Sequence, residues 1–442
     1  MKIQMPQAVK DIITTLQENN YEAYAVGGCV RDSILGREPN DWDITTSASP
    51  EEVKALFHRT IDTGIEHGTV TVMVDKTGYE VTTYRIDGKY EDGRHPTEVT
   101  FTRNLKEDLL RRDFTINAMA YNDADGLVDI FGGLEDIEKK VIRCVGDPRA
   151  RFTEDALRLM RAIRFAAQLG YTIEDKTREA MKEIAGNLKK ISAERIQVEL
   201  VKTLVSPNPF MIKDAYELGL TKIFMPEFDR AMKTEQHNRH HKYTVGEHSL
   251  VATEYIRADK VLRLTMLLHD LGKPCCITTD EEGIDHYYGH PAISEKIATE
   301  ILLRLKFDND TIRKVCMLVR FHDERIVPGI KYMRRAVARI GEDAFPELFE
   351  VQEADLMAQS EYKREQKLAT LEANRKDYTQ VLEQKQCVSK ATLAVKGKDL
   401  IECGMKPGKE IGKVLDDMLK DVIEEPSHNN KEYLLKHFLP HF

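Results

Sequence analysis

Long apolar runs, tryptophan and paired cysteines are scarce in this sequence, and each shortage excludes something. No stretch of roughly 18 uninterrupted apolar residues occurs, so no transmembrane helix is expected. One Trp in 442 residues and 7% aromatics argue against a large β-sandwich or barrel. The seven cysteines (Cys29, Cys144, Cys275, Cys276, Cys316, Cys387 and Cys403) form no CxxC pair and no disulfide-like spacing. That pattern predicts a reducing compartment and no structural zinc. The start, MKIQMPQAVKDII, lacks the apolar core of a signal peptide, so a cytoplasmic location is expected. An excess of positive charge is missing too, the net charge being −9. A local basic face still binds RNA when the remaining surface is acidic. Arg111-Arg112, Lys189-Lys190 and the Arg158/Arg161/Arg164 series could form one, although each run alone reads better as a solvated helix surface.

What is present describes a globular chain with many solvated helices, 41% hydrophobic and 31% charged. Its length exceeds the roughly 250–300 residues at which single cores stop growing, so several domains are expected. The first third mixes helix and strand. Residues 6–20 show Val9, Ile12, Ile13 and Leu16 on one helical face. YEAYAVGG reads as a strand into a glycine turn, residues 30–36 as a helix, and DWDITTSA as a strand. GTVTVMVD and YEVTTYRID alternate with period two and predict a hairpin turning at Lys76-Thr77-Gly78. EVTFTRN is a further strand. From about residue 150 only helices are expected, with Gly170 at one helix end. The charged segment 358–386 reads as a long helical arm with an apolar stripe at Leu368, Leu371, Tyr378 and Leu382. The expected fold class is α+β: a mixed-sheet head, then an all-α neck, body and tail. The boundaries fall at 1–140, 141–205, 206–345 and 346–442.

Two constellations carry chemistry. In AVGGCVRDSILGREPNDWDITTSA, Gly27 and Gly28 sit between a strand and a helix, where backbone N–H groups approach a phosphate closely. Arg31 has the donor fork to clamp triphosphate oxygens, and Asp32 could orient it. Asp41 and Asp43, two apart on a strand, would point to one side and repel unless a cation lies between them. Polymerase-type enzymes hold two Mg²⁺ with such carboxylates, and Glu80 is the candidate third. The plain alternative is a strand edge with two surface aspartates.

The ordered motifs GGCVRD, NDWDI, YEVTTYR, YEDGRHP, RRDFTINAMA, DIFGG, RFTEDALRLMRAIRF and AERI resemble the class II tRNA nucleotidyltransferase and bacterial poly(A) polymerase family over about residues 21–200. KGKDLIECGMKPGKEIGKVLDDML resembles the tail of bacterial CCA-adding enzymes. The resemblance implies template-independent addition of CCA to tRNA from CTP and ATP. It makes Asp41 and Asp43 the Mg²⁺ ligands, with Gly27, Gly28, Arg31 and Asp32 on the triphosphate. Arg112, Asp113 and Asn117 would contact the incoming nucleotide. Asp155 and Arg158, supported by Arg161, would read the base, a carboxylate accepting from an exocyclic amino group while a guanidinium donates. Without the head motifs, that pair is an ordinary salt-bridged helix face. The loop Ile86–Pro96, with Arg94-His95 where the family often has two arginines, is linked in the family to the change from C to A addition. GMKPGKEIG, with Gly404, Pro407 and Gly408 beside Lys406 and Lys409, is either a plain helix–helix turn or a contact to the tRNA elbow. No membrane and no obligate protein partner are expected.

Eleven of the fourteen histidines lie in the second half, several of them clustered. His237, His240 and His241 precede His248, and LTMLLHDLGKP places His269-Asp270 at the end of an apolar helix. His290 and His322-Asp323 follow. Imidazoles and carboxylates converging from helix ends suit a divalent metal that activates water. HDLGKP resembles the HD superfamily signature, which implies His248, His269, Asp270, His290, His322 and Asp323 as ligands of a divalent transition metal. In tRNA nucleotidyltransferases such a module implies phosphatase and 2′,3′-cyclic phosphodiesterase activity. The rival readings are a poly(A) polymerase, an enzyme that adds only A, and an HD phosphohydrolase with an RNA-binding head.

Overall fold

The computed structural model describes residues 2–88 and 99–439. Most of the loop Ile86–Pro96, with Arg94 and His95, lies outside the described residues. The chain divides into two compact units, Met1–Pro226 with Arg304–Lys306, and Glu227–Leu303 with Phe307–Phe442.

In the first unit, apolar spacing of three and four folds the helix Gln7–Glu18, whose Val9, Ile12, Ile13 and Leu16 are all buried. It packs on the buried strand Ala23–Val26. Among the described residues this strand lies in a seven-stranded sheet. The order is Thr60–Gly64, Thr69–Val74, Thr77–Thr83, Ile44–Thr46, Ala23–Val26, Ala120–Asn122, Gly126–Val128. Ile44–Thr46 runs parallel to Thr77–Thr83, and the other pairings are antiparallel, giving the expected mixed sheet.

Three local expectations are corrected. The hairpin turns at Asp75-Lys76, one step earlier than read, with Val74 paired to Thr77 and Asp75 at φ +54°. Gly78 is a strand residue: a Cβ there would lie 2.7 Å from Thr71 Cγ2, so the glycine serves cross-strand packing rather than the turn. The strand after DWD begins only at Ile44, so Asp41 and Asp43 precede it. Asp43 still continues the ladder, its carbonyl accepting from Val26 N–H at 3.0 Å. Lastly, short strands persist beyond residue 150. Thr172–Ile173 pairs with Val141–Ile142, and Thr278–Thr279 with Asp285–His286.

The helix Leu157–Leu169 packs on Ala193–Leu204 and ends at Gly170, whose φ of +71° completes a left-handed cap. In the second unit, the helices Val245–Glu254, Lys260–Leu268, Asn309–Phe321 and Phe345–Ala358 share a core that includes Leu262, Met266, Leu318, Phe345 and Leu348. The charged arm is a packed helix, Arg364–Glu383, starting after Lys363 at φ +55°. Leu371 and Val381 are buried in that same core, against Ile330–Ile340 and Phe345–Ala358. The tail has its own cluster, with Leu393, Leu400, Met418, Val422 and Leu434. Among the described residues, no helix is long and apolar enough to cross a membrane.

Candidate functional site

The first unit gathers the sequence-derived nucleotide residues into linked groups. Asp41 and Asp43 are exposed, while Trp42 between them is buried, so the two carboxylates face away from the core. Glu80 lies on Thr77–Thr83, the strand parallel to the one that follows Asp43. Partial desolvation raises the pKa of Asp43; the Arg112 guanidinium draws it back and the Asp41 charge adds to the rise. Desolvation also raises Glu80, followed by the charges of Asp43 and Asp41. Beyond desolvation, the charge of Asp41 thus disfavours ionisation of Asp43 and Glu80, and that of Asp43 disfavours ionisation of Glu80, a crowding that suits an oxygen-ligand cation site.

Gly27 opens the helix Gly28–Ile34 with φ +84°, and a Cβ on it would lie 3.0 Å from Arg112 Nη1. Only glycine permits both that conformation and that approach. Arg31 donates twice to Asp32 at 2.9 Å and once to Asn117 Oδ1 at 2.5 Å. Asn117 Nδ2 donates to Asp113 at 3.1 Å, and Arg161 grips the other Asp113 oxygen at 2.7 Å through Nε. Burial opposes a charge on Asp113, but Arg161 and Asn117 outweigh it and bring its pKa down to about 2. The guanidiniums of Arg31, Arg161 and Arg164 surround the Phe165 ring at 5.0, 5.3 and 4.2 Å.

The presumed base readers sit differently from expectation. The helix breaks after Glu154, leaving Asp155 extended at φ −134°, and restarts at Leu157. Asp155 and Arg158 are therefore not on one helical face. Asp155 accepts from Leu157 N–H at 3.0 Å and Arg195 at 2.8 Å. Arg158 donates to Glu154 at 2.8 Å and to the Arg111 carbonyl at 2.8 Å. Sequence reading missed Glu154, although its spacing of four from Arg158 is a helical ion-pair signal.

The second unit brings together His248, His269, Asp270, His290 and His322, all buried. His248 lies within Val245–Glu254, His269 and Asp270 follow Lys260–Leu268, His290 opens His290–Arg304, and His322 caps Asn309–Phe321. The Nδ1 atoms of His269, His290 and His322 face the carbonyls of Met266, Tyr287 and Val319 at 2.7, 2.9 and 2.7 Å. A carbonyl only accepts, so each Nδ1 carries the hydrogen and each Nε2 turns inward. His290 Nε2 and His322 Nε2 lie 3.2 Å apart, and 3.3 and 3.5 Å from Asp270 Oδ1. On the other Asp270 oxygen, His269 Nε2 and His248 Nε2 lie at 3.3 and 3.6 Å. Two metal-sized triads, His248/His269/Asp270 and Asp270/His290/His322, thus share one carboxylate.

Asp323 is not among them: it is exposed and faces Arg325 at 3.4 Å, because the chain turns outward after His322. Asp355, from Phe345–Ala358, takes the remaining place, 2.8 Å from His248 Nε2 and 3.7 Å from His269 Nε2. Lys273 Nζ, also missed, pairs with Asp270 at 2.7 Å and donates to Gln236 at 3.2 Å. Burial opposes a charge on His269, but the Asp270 and Asp355 carboxylates prevail and raise it to about 10. His237 and His240 turn elsewhere, to Asp285 and Lys367.

Comparison with known proteins identifies the family. Residues 23–143 match the poly A polymerase head domain, 170–232 the "Probable RNA and SrmB- binding site of polymerase A", and 279–438 tRNA nucleotidyltransferase domain 2. The CCA-adding enzyme of Levilactobacillus brevis is 37% identical over 435 residues, covering 97% of this chain and 96% of that one. The Bacillus stearothermophilus CCA-adding enzyme, solved in complex with CTP, superposes with a TM-score of 0.71 at 30% identity, over 99% and 98% of the two chains. A Thermotoga maritima CCA-adding enzyme complexed with tRNA shares the fold at a TM-score of 0.62 and 22% identity, over 100% and 99%. Alignment across nearly the whole length at such identity places this chain in the CCA-adding enzyme family, whose head is of the poly(A) polymerase type.

Proposed function

We propose that this protein adds CCA to the 3′ end of tRNA from CTP and ATP, releasing pyrophosphate. The observation that carries the reading is the crowding of Asp41, Asp43 and Glu80 opposite Arg112, next to the Arg31–Asn117–Asp113–Arg161 network. The names and bound CTP of its relatives support it. An all-oxygen donor set on mutually repelling carboxylates fits Mg²⁺. Asp41 and Asp43, with Glu80 as third carboxylate, would hold Mg²⁺, which would supply a lowered pKa for the attacking hydroxyl and charge screening for the triphosphate. Gly27 and Gly28 let the backbone approach phosphate, and Arg31 and Arg112 hold it. Asp32, Asp113 and Asn117 orient these groups. Asp155 accepts from the base amino group, and Arg158 donates to the neighbouring acceptor. C and A share that donor–acceptor pattern, whereas U and G present the reverse. Lys406 and Lys409, exposed at the turn between Gly397–Glu402 and Lys409–Glu424, contact tRNA phosphates.

A second activity is favoured by the histidine cluster. Inward Nε2 atoms around a shared carboxylate suit divalent transition metal ions, which His248, His269, Asp270, His290, His322 and Asp355 would hold. Such ions would supply an activated water for hydrolysis of phosphomonoesters or 2′,3′-cyclic phosphates at damaged tRNA ends. We divide the chain into a head (1–140), neck (141–205), HD body and tail. Asp355 carries the body past residue 345, to the end of Phe345–Ala358.

Incorporation of each labelled nucleoside triphosphate into tRNA ending at the discriminator base, at C and at CC tests the first activity. Cyclic-phosphate hydrolysis with added Ni²⁺ or Mn²⁺ tests the second. Asp41→Ala with Asp43→Ala should abolish incorporation and leave hydrolysis; His248→Ala should do the reverse. ATP-only incorporation into many RNAs would show a poly(A) polymerase. ATP-only extension of tRNA ending in CC would show an enzyme that adds only A. Incorporation surviving loss of both aspartates would leave an HD hydrolase with an RNA-binding head.

A further inference from the structure

Asp108 has no assigned part in nucleotidyl transfer, yet it is fully buried on the short helix Leu105–Leu110 and gathers three side chains. Its Oδ2 accepts from Thr45 Oγ1 at 3.1 Å and Arg112 Nη2 at 3.4 Å. Its Oδ1 accepts from Arg111, Nε at 2.9 Å and Nη2 at 2.8 Å. Each partner leads to a different part of the cleft. Thr45 lies in Ile44–Thr46, the strand that begins directly after Asp43. Arg112 acts on Asp43 and stands against Gly27, and its buried Nε has no hydrogen-bond partner. Arg111 presents its carbonyl to Arg158 Nη2 at 2.8 Å. A carboxylate in this setting would ordinarily shed its charge. Here burial is outweighed by Arg111 and Arg112, and Asp108 is held below the usual carboxylate range.

We propose that Asp108 is a positioning residue that fixes the phosphate-side Arg112 and the base-side Arg158 in one register. It holds the first directly and the second through the Arg111 backbone, with Thr45 tying both to the strand that follows Asp41 and Asp43. The inference rests on the nucleotidyl-transfer reading above, in which Arg158 faces the base. Neutralising Asp108 therefore disturbs catalysis and base choice together, although it touches no substrate.

The test uses the full chain in single-turnover incorporation of CTP and, separately, UTP into tRNA lacking CCA. Asp108→Asn keeps the shape and removes the charge. The rate with CTP should fall by about 100-fold, the scale expected of a small misplacement. The preference for CTP over UTP should fall by about tenfold. A variant that melts earlier but keeps the wild-type preference would reduce Asp108 to a structural role and overturn the proposal. Should Asp108→Asn fail to fold, Arg111→Gln removes the side-chain link from Asp108 to the base branch while Arg112 keeps its own contact with Asp108. It should lower the preference more than the CTP rate, and an unchanged preference would overturn the link. Arg158→Ala separates the two levels. If it changes the preference and Asp108→Asn does not, only Asp108 is misassigned. If Arg158→Ala leaves the preference intact, the base-reading assignment itself is lost, and this inference with it.

Discussion

Asp355 and Asp323 make opposite uses of the same functional group. Asp323 follows the clustered His322 in sequence, yet its carboxylate is exposed beside Arg325. Asp355 comes from a helix whose buried Val351, Ala354 and Ala358 describe an ordinary packed face. Its oxygen nevertheless reaches two imidazoles. Asp355→Asn is expected to weaken Ni²⁺ or Mn²⁺ binding by at least about 10- to 100-fold. Asp323→Asn should leave it within about twofold. Titration calorimetry on the two variants decides, and equal effects would return Asp323 to the ligand set. Residue-level reading found side chains that the structure gathers where a local motif carries them, as in GGCVRD and HDLGKP. It failed where a ligand arrives alone on a distant helix, since nothing local marks Asp355. It also failed where a side chain acts through another, as Glu154 does on Arg158.

Among the elements, two helix features were legible, while the break between Glu154 and Leu157 was not. Gly170 and the buried stripe of Gln7–Glu18 follow from spacing and left-handed capping alone. Turns were less so, because a glycine has two uses: Gly78 resembles a turn residue but serves close packing across the hairpin. Gly272, within HDLGKP, is of that second kind. A Cβ there would lie 2.6 Å from both the His290 carbonyl oxygen and Ser294 N, while Gly272 N–H donates to Ser294 Oγ at 2.9 Å. Gly272→Ala must therefore push the helix His290–Arg304 away from Asp270. A loss of about 1–3 kcal/mol of stability, typical of overpacking, is expected. The melting temperature should fall by several degrees and metal should bind more weakly. An alanine variant with unaltered melting and metal affinity would show that this helix yields without cost.

At the scale of the whole molecule, composition indicated several domains, and the structure divides into two units with a separate candidate chemistry in each. The net charge of −9 was the least informative number, because binding of a polyanion depends on where cations stand rather than on their sum. Each phosphate contact contributes about 0.7 to 0.9 to the slope of log affinity against log salt. Replacing Lys406 and Lys409 together by Ala should weaken tRNA binding and flatten that slope by about 1.5. Filter binding between about 50 and 200 mM salt measures it, and an unchanged slope would make GMKPGKEIG a simple helix connection.

The three imidazoles whose Nδ1 faces a main-chain carbonyl carry a further consequence. Their tautomers are dictated by peptide groups, which no amino-acid replacement deletes. As the surrounding sequence drifts over generations, neighbouring side chains can change while these rings go on presenting the same nitrogen. The centre is therefore vulnerable to loss of its own histidines and carboxylates, and largely insulated from change around them.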